Sequence, residues 1–288
     1  MEYYSFNKYL RERFGCKVYK ISINGGFTCP NRDGTLGTGG CIFCSAGGSG
    51  DFAESPELSI TQQIENGKER VKNKIKSGKY IAYFQAFTNT YAPVEVLREK
   101  YTEAVNHRDI VMLSVATRPD CLPNEVIDLL KEINNIKPVS VELGLQTIHE
   151  KSAEYIRRGY NLECYNDAVR RLKEAGLEVV CHIILGLPGE SKKDMLQSVE
   201  YACNSGIDGI KLQLLHVLRG TDLAKDYEAG KFKTLTFEEY LDIIKDSIKV
   251  IPKNIVIHRL TGDGAKKDLI APLWSADKKR VLNAISKL

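Results

Sequence analysis

Short runs rich in valine, isoleucine and aromatic residues recur along the chain, separated by helix-length amphipathic segments. The runs fall at residues 18–23, 80–87, 109–116, 139–145, 178–185, 206–214 and 254–258. Several read as continuously apolar, the pattern of strands buried on both faces. Between them, residues 60–76 set Ile60, Ile64, Val71 and Ile75 along one helical face. Residues 123–134 place Val126, Leu129, Leu130 and Ile133 at i, i+3, i+4 and i+7, the amphipathic spacing. Residues 162–175 predict a helix stopped by Gly176, residues 191–204 one capped by Ser191, and residues 236–250 another followed by Pro252. Six or seven such repeats predict parallel strands joined by crossover helices. They fit an open doubly wound sheet or a barrel, complete or partial, and periodicity does not choose between these. In either case the chemistry belongs at the C-terminal ends of the strands.

Composition changes this picture little. Of 288 residues, 43% are hydrophobic and 27% charged, which excludes disorder as the dominant state. No run approaches the roughly 18–20 apolar residues of a membrane span. The first residues lack a basic segment followed by an apolar one, so a cytoplasmic protein without a secretory signal is expected. A net charge of +4, from 41 basic and 37 acidic residues, permits a nucleic-acid partner without requiring one. No linker or charge block divides the chain, so a single domain over residues 1–288 is expected.

The eight cysteines change it more. Cys16, Cys121, Cys164, Cys181 and Cys203 are scattered and read as packing residues. Cys29, Cys41 and Cys44 lie together in a glycine-rich loop after the first strand, spaced C-x11-C-x2-C. A structural zinc site normally takes four protein ligands, and this loop holds no fourth; the nearest histidine is His107. An iron–sulfur cluster held by three thiolates leaves one iron open to an exogenous ligand. The ligand count therefore favours a [4Fe-4S] cluster over zinc.

The loop, with Phe43 before its last cysteine, resembles that of the radical S-adenosylmethionine (SAM) enzymes with a widened first gap. The gap and the stretch Asn24-Gly25-Gly26-Phe27-Thr28-Cys29-Pro30-Asn31-Arg32-Asp33-Gly34 resemble the subgroup related to the Elongator catalytic subunit, which includes the YhcC- and YtqA-type proteins. The resemblance runs from about residue 5 to the C-terminus. It implies a partial TIM-type barrel of six or seven parallel strands, with a SAM-binding core at about residues 17–215 and an extension at 216–288 closing the barrel. It implies a [4Fe-4S] cluster on Cys29, Cys41 and Cys44, with SAM as co-substrate.

The later motifs take roles from the same resemblance. Phe43 and the second strand's end, with Gln85, Thr88 and Asn89, fall at the methionyl part of SAM, although the usual Gly-Gly-Glu is missing. Glu142, a carboxylate inside an apolar run, needs a partner or a ligand; relatives place a polar residue there against the ribose, followed by the signature ending at Gln146. Arg158 matches a contact to the SAM carboxylate, His182 a polar position near the ribose, and Gly186 and Leu187 the backbone that reads adenine. From their places alone, Arg118, held out of helix by Pro119, reads equally as an anion grip or a structural salt bridge with a neighbouring loop, and Gln213, His216 and Arg259 as strand-end residues facing substrate. The family's chemistry is reductive cleavage of SAM to a 5′-deoxyadenosyl radical, fed by a flavodoxin- or ferredoxin-like donor. The implied substrate is the wobble uridine of tRNA, its side chain remodelled from carboxymethylaminomethyl toward aminomethyl, the MnmL type. A porphyrin-like decarboxylation and a zinc-binding RNA-interaction protein without turnover are the rival readings.

Overall fold

A computed structural model describes residues 2–48, 53–75, 78–262, 264 and 266–288. Residue 76, the expected end of the first long helix, and Asp263, after the last strand, lie outside the described residues. Seven parallel strands form a curled half-barrel in the order β1-β2-β3-β4-β5-β6-β8. They are β1 (Tyr19–Ile23), β2 (Tyr80–Phe84), β3 (Ile110–Thr117), β4 (Val139–Gln146), β5 (Glu178–Leu185), β6 (Gly209–Leu214) and β8 (Val256–Arg259). Two short strands, β7 (Val217–Leu218) and β9 (Leu269–Ala271), pair antiparallel beyond the end of β6. All seven expected runs are strands of one sheet, and the sheet curls as a partial barrel.

The helices are α1 (Phe6–Phe14), α2 (Ile60–Val71), α3 (Val94–Asn106), α4 (Asn124–Asn134), α5 (Glu150–Tyr155), α6 (Leu162–Glu174), α7 (Lys192–Asn204), α8 (Asp222–Glu228), α9 (Phe237–Val250) and α10 (Lys278–Ile285). Local chemistry starts several of them. Ser59 with Gln62, Ser191 with Asp194, and Thr236 with Glu239 form capping boxes at α2, α7 and α9. α2 ends at Val71, short of Ile75, which is nonetheless buried.

Strand alternation positions the site. Val139, Val141, Leu143 and Leu145 of β4 join the main core with helix residues such as Leu129 and Leu172. The residues between them, Ser140, Glu142, Gly144 and Gln146, take the opposite face. The same holds for Ala82 and Phe84 against Tyr83, for Cys181 and Ile183 against His182, and for Ile210 and Leu212 against Lys211. The concave face is therefore polar, and it is where the cavity lies. Among the described residues no helix is long and apolar enough to cross a membrane.

Candidate active site at the mouth of the half-barrel

A cavity of about 290 Å³ runs from the cysteine loop down the concave face. Cys29, Cys41 and Cys44 line its mouth with Phe43. Hydrogen bonds within the wide first gap build the loop. Leu36 donates to the Pro30 carbonyl at 2.8 Å and Gly40 to the Asn31 carbonyl at 2.7 Å. Gly40 has φ +72, and a Cβ there would meet the Arg32 guanidinium at 3.0 Å, so the loop closes only on glycine. Arg32 in turn donates to the Ser45 carbonyl at 2.6 Å. Asn31, buried, donates through Nδ2 to the Arg157 carbonyl at 2.7 Å and lies 3.4 Å from the Cys41 sulfur.

A hydrogen bond from Cys44, aided by Asn31 and by the charges of Arg118 and Arg32, brings the Cys41 thiol down to about 6 against the opposing effect of burial. Cys44, giving that hydrogen bond and buried, is pushed well up. The three sulfurs do not all fall within 4.8 Å of one another; among the described residues only Glu65, His107 and Asp109 bring three such donors that close. That outer group already holds the Lys68 ammonium, 2.8 Å from Glu65 and 2.7 Å from Asp109. A tetrahedral zinc, with bonds of about 2.3 Å, needs sulfurs roughly 3.8 Å apart. Cys41 and Cys44 lie within hydrogen-bonding reach of each other, and what favours a cluster is the count: three thiolates leave one iron of a [4Fe-4S] cluster open to an exogenous ligand.

Gln85 and Thr88 line the wall beyond β2, and Gln85 Nε2 donates to Ser22 Oγ at 2.9 Å. Arg118, at the end of the neighbouring strand β3, also lines the cavity, its guanidinium bidentate on Asp120 at 2.9 and 2.7 Å. Gln146, at the end of β4, has φ +68 and a buried Oε1 without a hydrogen-bond partner. Strained non-glycine backbone of this kind clusters at functional sites, and Phe87, at φ 60, lines the same cavity. Arg158 is 2% exposed and spends most of its donors on the backbone, reaching Tyr160 O at 2.9 Å and Thr147 O at 2.6 Å. Its Nη2 makes no hydrogen bond and lies 3.5 Å from the Glu150 carboxylate. Gln213, His216 and Arg259 line the cavity from the β6 and β8 side.

Three expected contacts sit off the wall. Asn89 is fully buried and donates to the Ala116 carbonyl at 2.9 Å, clamping the β2 loop to β3. Leu187 belongs to an apolar cluster with Ile42, Ile156, Ile184 and Leu215. Gly186 has φ +91, and a Cβ there would meet Leu235 at 3.0 Å; the turn itself calls for this glycine.

At the floor, Glu142 finds the partners that its place in the strand demanded. Its Oε1 accepts from Lys20 Nζ at 2.5 Å and Ser114 Oγ at 2.8 Å. Its Oε2 accepts from Lys211 Nζ and from His182 Nε2, the latter at 2.8 Å. Gln213 Nε2 lies 3.2 Å from His182 Nδ1, so the partners select the tautomer with the proton on Nε2. Burial works to raise the Glu142 carboxyl, but Lys20, Lys211 and His182 override it and hold the group well below the ordinary range. Burial and the charge of Lys211 bring His182 down to about 4, against Glu142. Lys20, Lys211, Tyr83 and Asn31 escaped the sequence reading. Lys211 carried the same signal as Glu142, a lone charge in an apolar strand.

Two family models match the chain: the Radical SAM superfamily over residues 28–202 and the Radical_SAM C-terminal domain over residues 207–288. The chain is 48% identical to the protein YtqA of Bacillus subtilis (strain 168), over 99% of this chain and 88% of that one. It is 32% identical to the tRNA uridine(34) acetyltransferase of Methanocaldococcus jannaschii, over 57% of this chain and 30% of that one. The solved archaeal Elp3 of Methanocaldococcus infernus shares the fold, with a TM-score of 0.70 at 19% identity, over 94% of this chain and 63% of that one. With its half-barrel, its three-thiol loop and these matches over nearly its whole length, the chain belongs to the radical SAM superfamily, in the group related to Elongator protein 3.

Proposed function

We propose that this radical SAM enzyme remodels the side chain of the tRNA wobble uridine, taking carboxymethylaminomethyl toward aminomethyl. The observation that carries the reading is the three-thiol mouth above a deep polar cavity whose far end is rich in cations. Cys29, Cys41 and Cys44 hold the [4Fe-4S] cluster, and Gln85, Thr88, Gln146 and Arg158 surround the place for SAM. When bound, the reduced cluster and SAM supply a 5′-deoxyadenosyl radical that takes a hydrogen atom from an unactivated carbon. The chain's residues orient the partners and keep water out: Phe43 covers the cluster side, and Glu142 and His182 fix the floor. Arg118 is engaged by Asp120, and Arg259, Gln213 and His216 line the β6 and β8 side of the cavity, where a side chain bearing a carboxylate would lie. The similarity to the tRNA uridine(34) acetyltransferase of Methanocaldococcus jannaschii supports a tRNA substrate.

Residues of about 17–215 form the SAM-binding core in this reading, and 216–288 close the barrel. A flavodoxin- or ferredoxin-like donor supplies the electron, and the reaction is cytoplasmic. The test is anaerobic reconstitution with iron and sulfide, then dithionite and SAM, with 5′-deoxyadenosine quantified against a triple Cys→Ala control. It is paired with profiling of modified nucleosides in a strain lacking the protein. SAM cleavage with accumulation of 5-carboxymethylaminomethyluridine supports the reading. Cleavage with an unchanged nucleoside profile overturns the tRNA assignment, and zinc binding without a cluster overturns the whole.

A further inference from the structure

At the cavity floor two lysines meet one carboxylate. Glu142 is fully buried and brings one negative charge, yet both Lys20 and Lys211 make ion pairs with it. Arg259 lies close enough for its positive charge to act on Tyr83, His182 and Lys211. His182, held neutral, contributes no compensation. One lysine would suffice to tie the carboxylate. A second is held beside the same carboxylate, at several kcal/mol per ion removed from water.

The two lysines differ in what they face. Lys20 stands off the cavity wall, with its ammonium 4.9 Å from the Phe6 ring centre and 4.5 Å from that of Tyr83. Lys211 lines the cavity with Tyr83, Gln213 and Arg259. Its ammonium has three N–H donors. One goes to Glu142 and one to the Tyr83 hydroxyl, 3.2 Å away, and the third is left for a ligand. Burial works against the Lys211 ammonium despite Glu142, so an anion beside it would favour the charged form.

We propose that Lys211, with Arg259 beside it, is a carboxylate subsite at the cavity floor that selects a substrate side chain ending in an acid. The carboxylate class follows from the floor's charge and the donors left over. That the acid is carried by a modified uridine rests on the function proposed above. Glu142 then acts as a positioning residue, holding the Lys211 ammonium by one donor while another reaches the ligand.

The test is equilibrium binding by calorimetry to cluster-loaded protein with SAM. The probes are the nucleoside 5-carboxymethylaminomethyluridine and its neutral carboxamide. Wild type is expected to prefer the acid at least tenfold. Lys211→Met is expected to reduce that preference to near unity while keeping the affinity for the amide, and Lys211→Arg to retain most of it. A merely structural Lys211 would weaken both probes alike, or neither, and that result overturns the subsite. So does equal binding of the two probes by wild type, which leaves the wobble-uridine reading standing. N-methylglycine, a carboxylate without a base, separates the other failure. If neither nucleoside binds but N-methylglycine raises the unfolding midpoint of wild type and not of Lys211→Met, the subsite stands and the uridine substrate falls. Should Lys211→Met not fold, Arg259→Gln replaces it, with a partial loss of the same preference expected and an unchanged preference counting against the subsite.

Discussion

Asn31 joins the cysteine loop to the turn before α6 through two contacts of one amide, to the Arg157 carbonyl and the Cys41 sulfur. Removing the amide leaves a carbonyl short of a partner, so Asn31→Ala is expected to destabilise the protein by about 1–3 kcal/mol. A hydrogen bond to a ligating sulfur favours the more negative, reduced cluster, and such bonds help set cluster potentials. The variant's potential, from a redox titration followed by electron paramagnetic resonance, is therefore expected to move more negative. An unchanged potential in protein with full iron content would remove Asn31 from this role. The sequence showed the three cysteines because their spacing is local. It hid Asn31, because what makes it count is a carbonyl 126 positions further along the chain.

At the scale of elements, every parallel strand was legible, whereas several helices were not. α3 carried its signal in plain view: Leu97, Tyr101, Ala104 and Val105 fall on one face and are fully buried, and Pro93 precedes the first turn. Helices α5 and α8, of six and seven residues, are too short to show a period. The strands' alternation was partly masked, because inward positions such as Val180 and Ile184 are apolar among polar neighbours. α3 also reaches the site. The buried Tyr101 hydroxyl donates to the Asn89 carbonyl, in the loop that carries Thr88 to the cavity wall. Tyr101→Phe is expected to lower the unfolding free energy by about 1–2 kcal/mol, read as a lower urea midpoint at unchanged slope. An unshifted midpoint would show that α3 holds the loop by packing alone.

Across the whole molecule, one carboxylate ties the half-barrel together. Glu142 on β4 gathers Lys20 from β1, Ser114 from β3, His182 from β5 and Lys211 from β6, with Tyr83 of β2 and His258 and Arg259 of β8 around them. No sequence pattern reveals such a network, since its members are spread from residue 20 to residue 259; each shows only as a misplaced polar residue. It gives the fold a pH dependence of definite sign. His182 titrates near 4 when folded against 6.5 when free. Between those values the unfolded chain takes up the proton first, so stability falls as pH drops from 6.5 toward 4, by on the order of 3 kcal/mol from this group. His258, also driven down by burial and by Lys20, acts in the same sense. The Glu142 carboxyl, held well below its ordinary 4.5, adds a loss that begins only below that pH and continues down through its folded value. His182→Gln keeps a side-chain amide able to donate to Glu142 and removes the titration. Urea unfolding at pH 7.5, 6 and 5 is therefore expected to show a steep loss in wild type and a shallower one in the variant. Equal slopes would mean that His182 is protonated in the folded state over this range, and the tautomer drawn from its Glu142 and Gln213 partners would fall with it.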